Sequence, residues 1–136
     1  MKIREFNLKD YPQVFALWEE SGLHTGRSDT FESIKVQIKR DPDLFLVAEE
    51  DGNIVGVVLG RFDGRRGWLN RLAVAPGSRN GRLGSRLVAE VEKRLIAKGC
   101  EKLNLVITPD NVHVQPFYEK LGYTLEELIF MEKWLV

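Results

Sequence analysis

Residues 72–87 constrain the fold of this chain more than any other stretch. Their sequence, LAVAPGSRNGRLGSRL, predicts a buried strand, a short loop rich in glycine and arginine, and the first turn of an amphipathic helix. The start of a helix exposes about four amide groups and carries roughly half a positive charge. The stretch therefore predicts an anion site, where Gly81 and Gly84 let a bulky ligand approach the backbone and arginines reach its outer oxygens.

The charge distribution supports the same site. Formal net charge is zero, which argues against nucleic-acid binding and against an electrostatic membrane anchor. Between positions 61 and 86, however, Asp63 is the only acid among seven arginines, which are Arg61, Arg65, Arg66, Arg71, Arg79, Arg82 and Arg86. This run favours a multiply anionic small molecule as partner, with a solvated basic face as the alternative.

Length and composition predict a single domain over residues 1–136. The chain has 136 residues, of which 43% are hydrophobic, enough for one core. Cys100 is the only cysteine, which excludes a disulfide framework and a cysteine-based zinc site within the chain, and we expect no metal. The N-terminus lacks the apolar core of a signal peptide, and no apolar run approaches the ~18 residues of a membrane span. We therefore expect a cytoplasmic protein without a membrane partner.

The periodicity of the apolar residues predicts the order β-α-α-β-β-β-α-β-α-β. This is an α/β class with a mixed α+β sheet, in one three-layer domain with helices on both sides. Asp10 is expected to cap the first helix, and the second begins near Thr30. The later expected elements are strands at 44–48, 54–59 and 67–75, a helix from 83 that Gly99 closes, a strand at 102–108, a short helix around Tyr118, and one or two strands in 123–136.

Two other kinds of phosphate loop are absent from the sequence. Neither the P-loop pattern G-x-x-x-x-G-K-[ST] nor the dinucleotide pattern G-x-G-x-x-G occurs. What remains is a strand, Leu72-Ala73-Val74, followed by Pro76 and by Arg79 to Gly84. A second motif places Asn111 seven residues before Tyr118, inside the run FYEKLGY.

With these two motifs, nearly the whole chain resembles the GNAT superfamily of N-acetyltransferases. Within it, residues 44–49, 63–67 and 95–100 look most like the YpeA-type bacterial acetyltransferases. The resemblance implies an acyltransferase that uses acetyl-CoA as co-substrate and acetylates a primary amine by direct attack on the thioester. One departure stands out, since Arg82 lies where the family pattern has its inner glycine.

The resemblance also implies which residues bind the cofactor. The main chain of residues 72–74 would pair with the pantetheine arm, and the loop and helix start would hold the pyrophosphate. The implied cofactor-binding residues are Leu72, Ala73, Val74, Arg79, Asn80, Gly81, Arg82, Leu83, Gly84, Ser85, Asn111 and Tyr118.

Tyr118 is the implied catalytic residue, a general acid that protonates the CoA thiolate. A phenol with pKa near 10 and a thiol near 8.5 are close enough for that transfer. The alternative for Tyr118 is plain core packing. Asn111 would hydrogen-bond the pantetheine arm, or simply cap the short helix.

The general base is not identified by the sequence. Many relatives place a glutamate on the strand formed here by residues 68–71, and this chain has none there. Glu20, His24, Asp63 and His113 stay possible by position. Near pH 7.5 the neutral fraction of an α-amine of pKa ~8 is about one quarter, whereas that of a lysine is only ~10⁻³. The absence of the glutamate therefore favours an acceptor amine of low pKa.

The acceptor itself stays unknown. Trp18, Glu19, Glu20 and the loop from Leu23 to Asp29 occupy the part of the family fold that shapes the acceptor site. Two alternatives remain open for function: transfer of a longer acyl group from its CoA ester, and a CoA-binding regulatory or interaction module without turnover. Either a monomer or a homodimer is compatible with the sequence.

Overall fold

The computed structural model describes residues 1–79 and 82–136, and these form two compact units, residues 1–106 and 107–136. The first unit holds a five-stranded sheet in the order β1-β2-β3-β4-β5, antiparallel except for the parallel pair β4 and β5. Its elements are β1 (Lys2–Glu5), α1 (Tyr11–Glu20), α2 (Phe31–Gln37), β2 (Phe45–Glu50), β3 (Asn53–Phe62), β4 (Gly67–Val74), α3 (Leu83–Ala97) and β5 (Leu103–Asn104). The mixed α/β class expected from the sequence is confirmed.

Helices cover both faces of this sheet. On one face, Trp18 of α1 and Ile34 of α2 pack in a core that includes Phe45 and Val57. On the other face, α3 lies against two glycines of β3, Gly56 and Gly60. A Cβ on Gly60 would lie 2.9 Å from Cγ1 of Val91, so the close approach of helix to strand requires a residue without a side chain.

The starts of α1 and α2 differ in how they are capped. Thr30 caps α2, because its Oγ1 accepts a hydrogen bond from the Ser33 N–H at 3.1 Å. The expectation that Asp10 caps α1 with its side chain is wrong. Asp10 already has helical backbone angles and closes a preceding 3-10 turn, in which its carboxylate accepts from the Asn7 N–H at 2.8 Å and from Arg4.

The second unit contains α4 (Gln115–Lys120), preceded by a 3-10 turn at Pro109–Val114. Within the described chain, residues 123–136 form no strand, and the expected strand at 102–108 is limited to Leu103–Asn104. Large apolar side chains of the C-terminal segment are exposed, among them Leu128, Ile129 and Trp134. Alternation of apolar residues indicates only which side chains would share a face of a strand. A strand also needs a neighbouring strand for its backbone hydrogen bonds, which the pattern does not specify.

No helix in the described part of the chain combines the length and the apolar character needed to cross a bilayer.

Candidate active site

A bulge interrupts β4 where it pairs with β3. Val57 pairs with Ala73 and Leu59 with Asn70, so Arg71 and Leu72 together face the single residue Val58. Arg71 has a φ of 58°, in the left-handed region where the first residue of such a bulge is usually glycine. An arginine here bears a backbone cost that its side-chain contacts must offset.

The Arg71 side chain is bound on three sides. Its Nη2 pairs with Oδ2 of Asp29, and its Nη1 donates to the His24 carbonyl oxygen at 2.7 Å. Its Cζ also lies 5.5 Å from the centroid of the Trp18 ring, while the Trp18 Nε1–H donates to the Arg71 carbonyl oxygen at 3.3 Å. The guanidinium therefore joins β4 to α1 and to the loop that follows it.

Asp29 anchors the other end of this contact. It is 3% exposed, and its Oδ2 also accepts from the Gly26 N–H at 2.8 Å. The carbonyl oxygen of Asp29 accepts from the Tyr11 hydroxyl at 2.6 Å. The sequence places Asp29 at the end of a polar loop and Arg71 in a basic run, 42 positions apart, so no local signal predicts this pair.

Beyond the bulge, β4 has no pairing with β5 among the described residues. Its parallel pairing with β5 covers Gly67 and Trp68 only, so within the described residues β5 contributes no ladder partner to Leu72, Ala73 or Val74. Ala73 is buried and its two neighbours are half-buried. The side chains of these residues thus serve the core, and any ligand contact would come from their backbone.

The start of α3 lacks the usual features of a closed helix end. Arg82, the residue before the helix, makes no side-chain cap, and the first turn has no acidic residue. Arg82 has φ 63° and ψ 18°, which explains why the family pattern has glycine at this position. Leu83 is buried, Gly84 and Ser85 are half-buried, and the Ser85 hydroxyl donates to the Arg82 carbonyl oxygen at 2.8 Å.

Three arginines surround this helix start. Arg79, Arg82 and Arg86 are exposed, and the Arg79 Nε–H donates to the carbonyl oxygen of Val74 at 3.0 Å. Asn80 and Gly81, which the sequence also assigned to this site, lie outside the described residues. The short stretch between the end of β4 and the start of α3 is therefore positively charged.

The other arginines of the 61–86 run lie elsewhere. Arg61 is half-buried and pairs with Oε1 of Gln37, and burial lowers its pKa. Arg65 and Arg66 lie in the turn before β4, roughly 25 Å from its other end for a strand of this length. The seven arginines therefore do not form a single surface.

In the second unit, Tyr118 of α4 is buried beside two aromatic rings. The ring centroids of Phe117 and Tyr123 lie 5.0 and 5.7 Å away, both in edge-on geometry. Burial raises the pKa of Tyr118 to about 12. Asn111 lies inside the 3-10 turn, and the residue before α4 is Val114, so Asn111 does not cap that helix.

The groups considered as general base are all exposed. Asp63 accepts the backbone N–H groups of Arg66 and Arg65 at 2.7 and 2.8 Å, and these bonds lower its pKa, which makes it a weak base. Glu20, His24 and His113 lie on the surface. Among the described residues there is no group of three or more histidine, cysteine, aspartate or glutamate side chains placed to hold a metal ion.

Known proteins resemble this chain over its full length. A family model described as the acetyltransferase (GNAT) family matches residues 3–123. An acetyltransferase from Yersinia pestis is 41% identical over 136 residues, 100% of this chain and 96% of that protein. One from Sodalis glossinidius is 40% identical over 131 residues, 96% of this chain and 92% of the other.

Among solved structures, an N-acetyltransferase (PaiA) from Thermoplasma acidophilum in complex with coenzyme A superposes with a TM-score of 0.83. It is 23% identical, over 94% of this chain and 92% of the other. Ard1 from Thermoplasma volcanium gives a TM-score of 0.81 at 24% identity, over 92% and 83%. At such identities these structures show the common fold.

Proposed function

Because this chain belongs to the GNAT family of acetyltransferases and is an acyltransferase, we propose that it moves an acetyl group from acetyl-CoA directly to a primary amine. The observation that carries the proposal is the run from the bulge in β4 to the uncapped start of α3. It offers a strand edge that β5 leaves unpaired among the described residues, followed nine positions later by a helix start without a side-chain cap. Acetyl-CoA needs both, since its pantetheine arm carries amides and its diphosphate is anionic. We propose that residues 1–136 act as one domain.

The diphosphate would bind at the start of α3. The first amides of the helix, from Leu83 to Ser85, have no side-chain cap, and Arg79 and Arg82 expose their guanidinium groups nearby. A diphosphate gains hydrogen bonds and helix-dipole energy there together. Asn80 and Gly81 complete the proposed binding loop.

The pantetheine arm and thioester would lie along β4. Backbone groups of Leu72, Ala73 and Val74 would bond the pantetheine amides as an added strand does, and Asn111 would donate to the same arm. A main-chain amide of these residues would hold the oxyanion of the tetrahedral intermediate. The unpaired edge of β4 supports this role, since among the described residues β5 pairs only with Gly67 and Trp68.

Tyr118 would supply the proton that the departing thiolate needs. With a pKa of about 12 the phenol keeps its proton across the physiological range. Full transfer to a thiolate of pKa near 8.5 is uphill by about 3.5 pK units, so donation coincides with cleavage of the carbon–sulfur bond. The proton that the attacking nitrogen loses restores the phenol, which balances the reaction.

The acceptor would be an amine of low pKa, such as a peptide α-amine. No glutamate lies on residues 68–71, and Asp63 is held as a carboxylate by backbone donors. An acceptor that is already partly neutral near pH 7.5 needs little help from a base.

Thiol release from acetyl-CoA over a panel of amines tests the proposal. The panel contains a peptide with a free α-amine, the same peptide acetylated at its N-terminus with one lysine, and a polyamine. We expect the α-amine to react fastest, and Tyr118→Phe to lower kcat by about 10²–10⁴. Full activity of Tyr118→Phe would contradict the acid role.

The same assay separates the alternatives. Tight CoA binding without turnover on any amine would favour a binding module. Two observations favour this alternative, the positive φ of Arg82 and the absence of a glutamate from residues 68–71. Faster reaction with butyryl-CoA than with acetyl-CoA would favour a longer acyl group. Absence of CoA binding would contradict the cofactor assignment altogether.

A further inference from the structure

We propose that the ion pair between Arg71 and Asp29 is a positioning device that fixes the loop of residues 21–29 against the bulge in β4 and thereby sets acceptor binding. This inference rests on the proposed transfer reaction, and it adds a role for two residues that no motif identifies. Neither residue is assigned contact with the reacting atoms.

The first step of the argument is the backbone of Arg71. Its φ of 58° belongs to a bulge position that glycine occupies without strain. An arginine side chain is therefore costly to the bulge unless it makes contacts of its own. The contacts found are a salt bridge, a hydrogen bond to the His24 carbonyl and the face of Trp18.

The second step is the burial of the partner. The Asp29 side chain is 4% exposed and the Arg71 side chain 23%, so water screens this pair far less than a surface pair. Removing one partner leaves a buried charge without its counter-ion. The pair is thus able to hold the loop in one position.

The third step is what the contacts join. Asp29 and His24 belong to the loop between α1 and α2, while Arg71 belongs to the bulge. The residue after Arg71 begins the proposed acyl-binding edge of β4. A shift of the loop would move groups beside the thioester, whereas the diphosphate site at the start of α3 lies beyond the end of β4. The pair should therefore affect acceptor binding and leave CoA binding unchanged.

The chain offers a matched control in Asp10. Like Asp29, it is buried and accepts at 2.8 Å from the backbone N–H three residues earlier. It also pairs with an arginine from a strand, Arg4, at 2.8 Å. Asp10 contacts neither the loop nor β4 in the bonds described, so Asp10→Asn matches Asp29→Asn in chemistry but not in place.

The variants are Asp29→Asn, Arg71→Gly, Arg71→Lys and the control Asp10→Asn. Arg71→Gly keeps a residue that accepts the positive φ, so the bulge persists when the side chain is lost. Arg71→Lys keeps the charge but cannot bond Asp29 and the His24 carbonyl with one planar group, and we expect it to rescue in part.

The first measurement is amide hydrogen exchange of the free protein, which needs no acceptor. Exchange of residues 24–29 should rise roughly tenfold or more in Asp29→Asn and Arg71→Gly, and stay at the wild-type rate in Asp10→Asn. Unchanged exchange of this loop in the two site variants would overturn the inference, even if the protein proves to catalyse nothing.

The second measurement is steady-state kinetics with acetyl-CoA and the best amine of the panel, together with titration of CoA alone. In Asp29→Asn and Arg71→Gly the acceptor KM should rise about tenfold, while kcat and the CoA Kd stay within about threefold. An equal rise of acceptor KM in Asp10→Asn, or a parallel loss of CoA affinity, would overturn the positioning role. Failure of the wild type to bind CoA would instead count against the proposed function.

Discussion

Arg71 and Arg82 both hold left-handed backbone angles, one near each end of the segment assigned to CoA. The Arg71 side chain is half-buried and its guanidinium is paired with Asp29, whereas the Arg82 side chain is exposed. The backbone cost at Arg71 is thus offset by internal contacts. At Arg82 a bound anion would have to supply the compensating contacts. We therefore expect a substitution of Arg82 to affect the stability of the free protein less than a substitution of Arg71, and to affect CoA binding more.

Replacing Arg82 with glycine should stabilise the free protein. Glycine adopts a φ of 63° without strain, and the gain is about 1 kcal/mol in the free energy of unfolding. Urea denaturation at constant m-value measures it. Arg82→Ala serves as the control, because it removes the same charge but retains the strain, and it should show no such gain. A lower stability of Arg82→Gly than of Arg82→Ala would refute the strain assignment.

Tyr118 gives the protein a distinct dependence of stability on alkaline pH. Burial raises its folded pKa to about 12, against about 10 in the unfolded chain, so the unfolded state loses its proton first. The contribution is constant below pH 10, and stability then falls as the pH rises from 10 to 12, by at most about 2–3 kcal/mol.

Comparison with Tyr118→Phe isolates the contribution of the phenol to the pH dependence of stability. Between pH 9 and 11.5, the free energy of unfolding of the wild type should fall more steeply than that of the phenylalanine variant. Chemical denaturation at each pH provides both curves, and the difference between them cancels the lysines and the other tyrosines. Parallel curves would mean that the phenol is solvated, and its role as a poised proton donor would lose its physical basis.

At the scale of secondary structure, β3 and α3 depend on glycine at their contact. A Cβ on Gly60 would lie 2.9 Å from Cγ1 of Val91 and 3.3 Å from the Leu44 carbonyl oxygen, and a backbone atom cannot move aside easily. Gly60→Ala should therefore destabilise the fold by about 1–3 kcal/mol. Gly77→Ala is the control, since a Cβ there meets nothing within 4 Å, and it should be close to neutral in the same urea titration.

Local signals explain which elements the sequence could predict. The apolar runs of β2 and β3, Thr30 before α2 and Gly99 after α3 all act within a few residues, and the structure confirms them. The prediction for Asp10 was wrong because its carboxylate accepts a hydrogen bond within the preceding 3-10 turn and makes no cap of α1. The segment 123–136 carries strand-like residues, but a pattern in one segment holds no information on its partner.

The same limit applies to the site. The strand, the loop and the helix start are contiguous in sequence, so a motif could indicate them together. The pair of Arg71 and Asp29 joins residues 42 positions apart, and either residue alone is typical of a solvated surface. Conversely, Arg65 and Arg66 are close in sequence to the arginines near the start of α3 but are separated from them by the length of β4 in the fold.

At the scale of the whole molecule, CoA binding should stabilise a single cooperative unit. We expect calorimetry to give one transition over residues 1–136, with equal calorimetric and van't Hoff enthalpies. CoA at 100 times its Kd adds about 2.7 kcal/mol, which for a chain of this length raises Tm by about 10 °C. Inorganic pyrophosphate, which can occupy only the start of α3, should give a smaller shift, and Arg79→Ala should reduce both. A second transition that CoA leaves in place would contradict the single domain, whereas a single transition that neither ligand moves would contradict the binding site assigned to β4 and α3.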